Sequence, residues 1–519
     1  MVSSFVAEFA RRLQGQSPAL ALPLTWIEQR LSESGLTIKQ LVQSETQQQA
    51  ADQVSISNSI SSLRFLGAMD WREFVETMSV VEQTLREDPA EVYGRMDFFT
   101  RDRYRHVVEK IAKNGRRSEA EVAREALQLA RDRAGTGGDD RTAHVGFYLI
   151  DKGLTQLERR AAAPLSRLQF PLSAYLGAIL LIAAAVAGGL VAKAQAGGSQ
   201  GWALGLIAIL SLLCTSHLAV AVVNWLATLL ATPHLLPRMD FSRGIPPESR
   251  TLVVVPTMLL SAPGIEDLVE ALEVRFLANR DGNLHFGLLT DFRDAPEETL
   301  PEDEPLLLLA RQRIEELNEK YQGAKGDAFF LFHRPRQWNS RERLWMGYER
   351  KRGKLALLNS FLRGGALPGA SDRFSLVVGE TAVLSNVKYV ITLDTDTELP
   401  RDSAWQFVGA MAHPLNRARY DEAGQRVCAG YGILQPRVAT SLPGANRSRY
   451  ARLCGSEPGI DPYTRAVSDT YQDLFQEGSF IGKGIYDVEA FERALQERLP
   501  ENRILSHDLL EGCYARAGL

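Results

Sequence analysis

Residues 387–400 read VKYVITLDTDTELP, and this stretch decides the fold that the sequence predicts. Its first part, residues 387–393, is a largely apolar and β-branched run, which is typical of a buried central strand. Three acids, Asp394, Asp396 and Glu398, then follow within a short turn. Ligands of open α/β sheets bind beyond the carboxyl ends of the strands, so Asp394 and Asp396 are expected to hold a hard divalent cation beside a diphosphate. The alternative interpretation is a solvated acidic turn, because a D-x-D triplet also occurs by chance.

Three further apolar runs precede this strand, at residues 250–256, 284–291 and 328–333. Segments with helical patterns separate them, and strands that alternate with helices indicate a mostly parallel, doubly wound sheet. The second run also ends in an acid, Asp291. We therefore expect Asp291 and Asp394 to face the same crevice.

Length and composition limit the number of domains, the kind of partner and the cellular compartment. A chain of 519 residues predicts two or three domains. Its net charge of -4 gives no global reason to expect a nucleic-acid partner. The amino end lacks the apolar core and cleavage site of a signal peptide, which predicts that it stays in the cytosol. The cysteines show no metal-binding spacing, so we interpret them as unpaired thiols in a reducing compartment. They are Cys214, Cys428, Cys454 and Cys513.

Residues 1–165 carry helical, amphipathic patterns without an obvious site. The Asp-Pro pair at Asp88 predicts a helix start. Ser118 with Glu121 predicts a capping box ahead of another helix. This region is therefore expected to be an all-α cytosolic module.

Two uncharged apolar stretches follow, at residues 171–192 and 202–231. Each is long enough to cross a bilayer, for which about 20 residues are needed. The alternative is a pair of buried core helices. Basic residues flank both ends of the pair, which predicts that both flanks are cytosolic. These flanking residues are Arg159, Arg160, Arg167, Arg238 and Arg243. We thus predict a transmembrane hairpin at 166–236, followed by an α/β domain at 237–519.

A dense basic segment lies between the third and fourth predicted strands. Its cations could neutralise a leaving diphosphate, and Gly353 would let the backbone approach a ligand closely. The alternative is a solvated basic helix start. The cations are Arg341, Arg343, Arg350, Lys351, Arg352 and Lys354.

Two more features follow toward the carboxyl end. Residues 477–491, EGSFIGKGIYDVEAF, form a glycine-rich loop that leads into a helix at Asp487, and such loops signify turns as well as phosphate sites. Residues 504–512, ILSHDLLEG, place His507 beside Asp508. Asp508 is a candidate general base, with a plain helix N-cap as the alternative.

Several of these motifs occur in an order that resembles a known family. VVVPT, LLTD, RGK, LDTDTELP, GSFIGKGIYD and SHDLLEG resemble the membrane-linked, family 2-like glycosyltransferases with a Rossmann-like GT-A fold. More narrowly, YGRMDFFTRDRYRHVVEKIA, HVGFYLIDKG, SRGIPPESRTLVVVPTML and WNSRERLWMGYERKRGKL resemble the glycosyltransferase region of cyclic β-1,2-glucan synthases. The resemblance covers nearly the whole chain from about Tyr93 onward.

The resemblance implies a role for each site residue. Asp291 matches the acid that contacts the uridine of the donor, and Lys354 lies in the segment that approaches the diphosphate. Asp394 and Asp396 match the metal-binding pair, and Asp508 matches the general base. The implied reaction uses UDP-glucose with Mg²⁺ or Mn²⁺ and extends a β-1,2-glucan acceptor with inversion at a bacterial inner membrane.

The sequence also departs from the family pattern. It reaches Leu519 without the Q/R-x-x-R-W segment that grips donor and acceptor in related transferases. It also lacks the further membrane spans and the phosphorylase-like region, so we expect a fragment that binds UDP-glucose weakly and does not make cyclic glucan alone. Two other hypotheses stay open, a different processive synthase such as one for linear osmoregulated glucans, and a non-catalytic membrane scaffold that keeps the nucleotide-sugar fold.

Overall fold

A computed structural model gives the structure of the chain. It describes residues 3–13, 15, 20–134, 140–162, 171–321, 326–364, 374–441, 444, 447–454, 467–496, 498–504 and 506–519. The described contacts divide into two compact units, Met1–Ser79 and Val80–Leu519. The domain boundaries predicted from composition stay predictions, and Arg167 lies outside the described residues.

The first unit is helical, as predicted. Its third helix begins after Thr37, whose side chain and that of Gln40 form a reciprocal capping box. A small apolar core of Ala10, Ile27 and Ile38 joins the first three helices. The helices are α1 (Ser3–Leu13), α2 (Ala21–Ser32), α3 (Ile38–Ala68) and α4 (Trp71–Met78).

The second unit begins with six more helices. The predicted capping box is confirmed, because Ser118 and Glu121 exchange hydrogen bonds at the start of a helix. The predicted helix start at Asp88 is wrong. The Asp88 carboxylate instead accepts from the backbone of Tyr93 and Val145, which fixes a turn. The helices are α5 (Val80–Leu85), α6 (Phe98–Asn114), α7 (Glu119–Ala134), α8 (Asp140–Ala143), α9 (Gly146–Ile150) and α10 (Leu154–Ala161).

Two long apolar helices follow, α11 (Leu172–Ala196) and α12 (Trp202–Leu230), close to the predicted spans. By length and composition both are able to cross a membrane. They pack through small residues, and Thr215 of α12 donates to the Ala183 carbonyl of α11 at 3.3 Å. Large apolar side chains such as Leu180 stay exposed on the outer faces. This pattern is typical of a hairpin whose outer surface meets lipid rather than protein.

An eight-stranded mixed sheet forms the centre of the second unit, in the order β12-β10-β11-β7-β1-β2-β3-β6. The four predicted strands, β7, β1, β2 and β3, are neighbours and run parallel. β11 and β6 join this parallel block in antiparallel orientation. The sheet strands are β1 (Thr251–Leu259), β2 (Leu284–Phe292), β3 (Phe329–His333), β6 (Leu376–Val378), β7 (Tyr389–Thr392), β10 (Ile433–Leu434), β11 (Gly484–Asp487) and β12 (Ala517–Gly518).

Helices cover both faces of this sheet, and alternate residues of β1 show how the two layers form. Val253 belongs to one apolar cluster and Leu252 to another. Two short hairpins, β4–β5 (Gln337–Asn339, Leu344–Met346) and β8–β9 (Arg419–Asp421, Arg426–Ala429), lie outside the sheet. The helices are α13 (Ala262–Ala278), α14 (Asp303–Lys320), α15 (Arg350–Leu362), α16 (Ser403–Ala412), α17 (Arg449–Cys454), α18 (Thr470–Phe475), α19 (Val488–Leu495) and α20 (Asp508–Ala515).

Helices α5, α6, α7, α9 and α10 share a core with the sheet. Tyr104 of α6 belongs to the same buried apolar cluster as Val253 and Ile391. An ion pair of 2.9 Å also joins Asp97 to Arg238, beyond the hairpin. From Val80 onward, helices and sheet are therefore parts of one packed body.

The three cysteines whose side chains are described, Cys214, Cys428 and Cys513, are free and exposed, as predicted. The Cys454 side chain lies outside the described residues.

Candidate active site

Asp394 lies just beyond the carboxyl end of β7, as the strand pattern predicts. Lys351 Nζ, from the first turn of α15, lies 2.8 Å from Asp394 Oδ1. Lys483 Nζ, from the residue before β11, lies 3.1 Å from Asp394 Oδ2. Partial burial opposes ionisation of Asp394, but the two lysines prevail and hold its pKa below the ordinary value. Asp394 is thus a charged carboxylate with a cation on each oxygen.

Asp396 occupies the exposed part of the same turn. The turn is held from behind by Arg275, a buried arginine on α13. Its guanidinium donates to the carbonyls of Thr395 at 3.0 Å and Thr397 at 2.7 Å. The backbone of the acidic turn is therefore fixed while the Asp396 carboxylate faces solvent. Arg275 could not be predicted as a site residue, because its signal in the sequence is a single arginine within the apolar pattern of a helix.

Asp291 lies at the end of β2 but is buried, with 2% of its surface exposed. Arg334 Nη2 lies 2.8 Å from one carboxylate oxygen and Lys354 Nζ lies 2.7 Å from the other. Lys354 also donates to the Thr257 carbonyl. Burial lowers the pKa of Lys354, and the charge of Asp291 opposes that change. Lys354 is thus a buried partner of Asp291.

Arg334 extends this buried pair to the loop before α15. It donates to the Tyr348 carbonyl at 2.9 Å and to the Arg350 carbonyl at 3.1 Å. Gly347 packs directly on the pair, because a Cβ atom there would lie 2.0 Å from Asp291 Oδ2. The start of α15, which carries Lys351, is therefore fixed to the sheet. Nothing in the local sequence singles out Arg334, since its role depends on partners far along the chain.

Gly482 of the glycine-rich loop joins Asp508 to the Asp394 group. Its carbonyl accepts a hydrogen bond from Lys351 Nζ at 2.8 Å. Its φ of +84° lies in the left-handed region, and an added Cβ would lie 2.8 Å from Asp508 Oδ1. The Asp508 carboxylate therefore packs against the loop that also positions Lys483.

Asp508 is the first residue of α20, and the N-cap position belongs to His507. The N-cap interpretation of Asp508 is therefore wrong. Its Oδ1 is buried and accepts no hydrogen bond from the described part of the chain. His507 Nδ1 lies 3.6 Å from this oxygen and 2.8 Å from the buried Glu511. Asp508 thus combines one buried oxygen that accepts no described hydrogen bond with a side chain that is 29% exposed.

The ligand-type atoms of His507, Asp508 and Glu511 lie within 4.8 Å of one another, which is compact enough for a metal ion. His507 Nδ1 lies between the two carboxylates, so side-chain contacts at the helix start also explain the group without a metal ion. Two other cations of the predicted basic segment pair with acids outside the Asp394 group. Arg350 pairs with Asp294 at 2.7 Å and Arg352 with Glu349 at 2.6 Å.

Comparison with known proteins gives a match along the whole chain. The chain is 37% identical over 530 residues to Cyclic beta-(1,2)-glucan synthase NdvB of Rhizobium meliloti (strain 1021). The resemblance that the motifs predicted is confirmed. The chain spans 18% of the length of that protein. No protein-family model matches the chain.

Proposed function

We propose that this chain is the glucosyltransferase segment of a cyclic β-1,2-glucan synthase and that its α/β unit has the GT-A fold. The observation that carries the proposal is the meeting of Asp394, Lys351, Lys483 and Asp508 around Gly482. This arrangement combines a carboxylate able to take a proton with cations able to neutralise a leaving anion. Similarity to a protein whose name is cyclic synthase favours a cyclic over a linear glucan product.

The proposed donor is UDP-glucose, and the acceptor is a growing β-1,2-glucan. Asp291 is the proposed contact for the uridine. Its ion pairs support a second, structural role for Asp291, because they fix Lys354 and therefore the helix that carries Lys351. The donor site is thereby built before any ligand arrives, which reduces the entropy lost on binding.

The acidic turn fits the Mg²⁺ or Mn²⁺ ion that the proposal implies. Both cations prefer carboxylate oxygens, and Asp396 presents an exposed carboxylate two residues from Asp394. We propose that these two residues hold the ion. When bound, the ion supplies positive charge beside the diphosphate.

The proposed reaction is a single in-line displacement at the anomeric carbon. Asp508 accepts the proton of the acceptor O2 hydroxyl, and O2 forms the new bond to C1 of glucose. The bond from C1 to the phosphate oxygen breaks, and its electron pair leaves with UDP. Because the donor is α-linked, attack from the opposite face gives a β-linkage and therefore inversion.

The proposed location is a bacterial inner membrane, with both flanks of the hairpin cytosolic. The hairpin contacts α18, which ends seven residues before Gly482, and this supports a site close to the bilayer surface. The rings of Tyr175 and Phe475 lie 5.4 Å apart, and the His234 backbone donates to Asp473 at 3.2 Å. A nascent glucan would then leave the site beside the lipid bilayer.

Calorimetry tests the donor half of this proposal. UDP and UDP-glucose are titrated into the detergent-solubilised chain with and without Mn²⁺, and into a longer chain extended past Leu519. Metal-dependent binding in both chains is expected. Absence of binding in both chains would refute the proposed function and favour the scaffold hypothesis.

Substitution Asp396→Asn is expected to abolish the gain in donor affinity that Mn²⁺ gives, while the melting temperature stays unchanged. The side chain is exposed, and its described hydrogen bond is a long one of 3.4 Å from Thr397. Removing its charge therefore costs a metal ligand but little folding energy. Calorimetry with and without Mn²⁺ measures the effect. Glu398→Gln, at an exposed acid two residues on, is the matched control and should keep the metal dependence.

Substitution Gly482→Ala is expected to reduce the rate of glucosyl transfer about 100-fold, because misplacing a catalytic group by about 1 Å has that effect. The new methyl group would lie 2.8 Å from the Asp508 carboxylate and displace it. Gly364→Ala is the control, since Gly364 has a similar φ of +77° but open space at the Cβ position. The release of UDP from UDP-glucose, in the chain extended past Leu519, measures the rate of transfer of both variants. Equal losses in both would attribute the effect to backbone strain alone.

A further inference from the structure

Two lysines share one carboxylate at the centre of the candidate site. Lys351 Nζ and Lys483 Nζ contact opposite oxygens of Asp394, at 2.8 and 3.1 Å. The two side chains come from different elements, α15 and the loop before β11. The two lysines thus have a surplus of one positive charge over the carboxylate that they contact, beside the exposed Asp396 and Glu398 of the same turn.

The neighbouring cations do not contribute to this surplus. Arg350, Arg352 and Lys354 each have an acidic partner of their own, at 2.6 to 2.7 Å. The lysine side chains remain partly exposed, 25% for Lys351 and 20% for Lys483. They are therefore open to a soluble anion, whereas Lys354 is enclosed.

We propose that Lys351 and Lys483 form an exchangeable anion-binding pair, which holds Asp394 in the nucleotide-free protein and transfers to the diphosphate of the donor when it binds. This inference rests on the proposed function and assigns the diphosphate contact to these two lysines. An ammonium group on a flexible stem is well suited to such an exchange, because it has no fixed bidentate geometry to lose.

The exchange has a consequence for metal binding. While both Asp394 oxygens contact lysines, they are shielded from a divalent cation. Once the lysines contact the diphosphate instead of Asp394, the Asp394 carboxylate becomes free to bind the metal ion. Diphosphate and metal should therefore bind with positive coupling, and each should raise the affinity for the other by the same factor.

Calorimetry on the whole chain with Lys351→Gln, Lys483→Gln and the double variant tests the proposal. The probes are Mn²⁺ alone, and UDP and inorganic pyrophosphate without metal. We expect each substitution to weaken metal-free UDP and pyrophosphate binding about tenfold or more, since a charge-assisted hydrogen bond is lost. We expect Mn²⁺ alone to bind up to roughly fivefold more tightly, since a partly exposed ion pair no longer competes.

The exchange predicts that the affinity for UDP and pyrophosphate falls while the affinity for Mn²⁺ rises. A purely structural role of the lysines would lower both affinities. Lys320→Gln is the matched control, as Lys320 is an exposed lysine paired with Glu273 at 2.6 Å on the neighbouring helix. It should change neither affinity. Melting temperatures confirm that the variants are folded.

The outcomes separate this inference from the proposed function. If the wild-type chain binds UDP and the lysine variants bind it equally well, the exchange is refuted and the proposed function stands. Weaker Mn²⁺ binding in the lysine variants would also refute the exchange. If pyrophosphate binds in a lysine-dependent way while UDP and UDP-glucose do not bind at any Mn²⁺ concentration, the anion pair stands and the proposed function fails.

Discussion

Substitution Asp508→Asn is expected to lower the rate of glucosyl transfer by about 10²- to 10⁴-fold, the range in which general acid–base catalysis contributes. The amide cannot accept the proton of the acceptor hydroxyl. Donor affinity should stay unchanged, because Asp508 contacts Gly482 rather than the Asp394 side chain. The release of UDP from UDP-glucose with a β-1,2-glucan acceptor, in the chain extended past Leu519, measures the rate, and calorimetry measures the affinity.

Two further variants test whether the loss of transfer rate is specific to Asp508. Asp267→Asn removes a carboxylate from an exposed position on α13 and should leave the rate of transfer unchanged. Asp396→Asn should lose metal-dependent donor binding instead. If Asp508→Asn and Asp396→Asn lost donor binding equally, the division between a base and a metal ligand would be refuted.

The strands of the central sheet could be predicted because burial on both faces makes their sequences nearly continuous apolar runs. Alternate residues from Leu252 to Val255 of β1 enter different apolar clusters, so this part of the strand is continuously apolar. The place of Asp394 follows from the same rule, since it is the first acid after such a run. By contrast, β11 is only four residues long and reads as part of a glycine-rich loop.

The partners of the site residues could not be predicted from local sequence. Lys351 and Lys354 lie one turn apart in the same basic segment, yet one contacts Asp394 and the other is buried on Asp291. The rotation of α15 against the sheet decides between them. That rotation depends on Arg334, which is held by carbonyl groups of the following loop.

The packing partner of the helices between Val80 and the hairpin also could not be predicted from the sequence. Amphipathic patterns show that a helix has a buried face but do not identify what covers it. The structure shows that α6 packs in the same core as the sheet, through Tyr104. An ion pair joins Asp97, which precedes the hairpin in the sequence, to Arg238, which follows it. The core of the second unit therefore contains chain from both sides of the hairpin.

Substitution Asp291→Asn is expected to destabilise the second unit by roughly 3–5 kcal/mol, because breaking a buried ion pair leaves its partners uncompensated. Arg334 and Lys354 would both lose the carboxylate that neutralises them, and both are at least 94% buried as side chains. Donor binding should fail as well, since the start of α15 is fixed through the same pair. Thermal unfolding of the detergent-solubilised chain measures the loss of stability.

The exposed pair of Asp294 with Arg350 provides the matched control. Its two atoms lie 2.7 Å apart, but the Arg350 side chain is 57% exposed. Asp294→Asn should therefore cost less than about 1 kcal/mol. Adding Lys354→Met to Asp291→Asn should recover part of the stability, because one uncompensated buried charge is removed together with its partner. Equal destabilisation by Asp291→Asn and Asp294→Asn would show that the Asp291 charge is not a structural anchor of the site, and the fixed position of α15 would then need another cause.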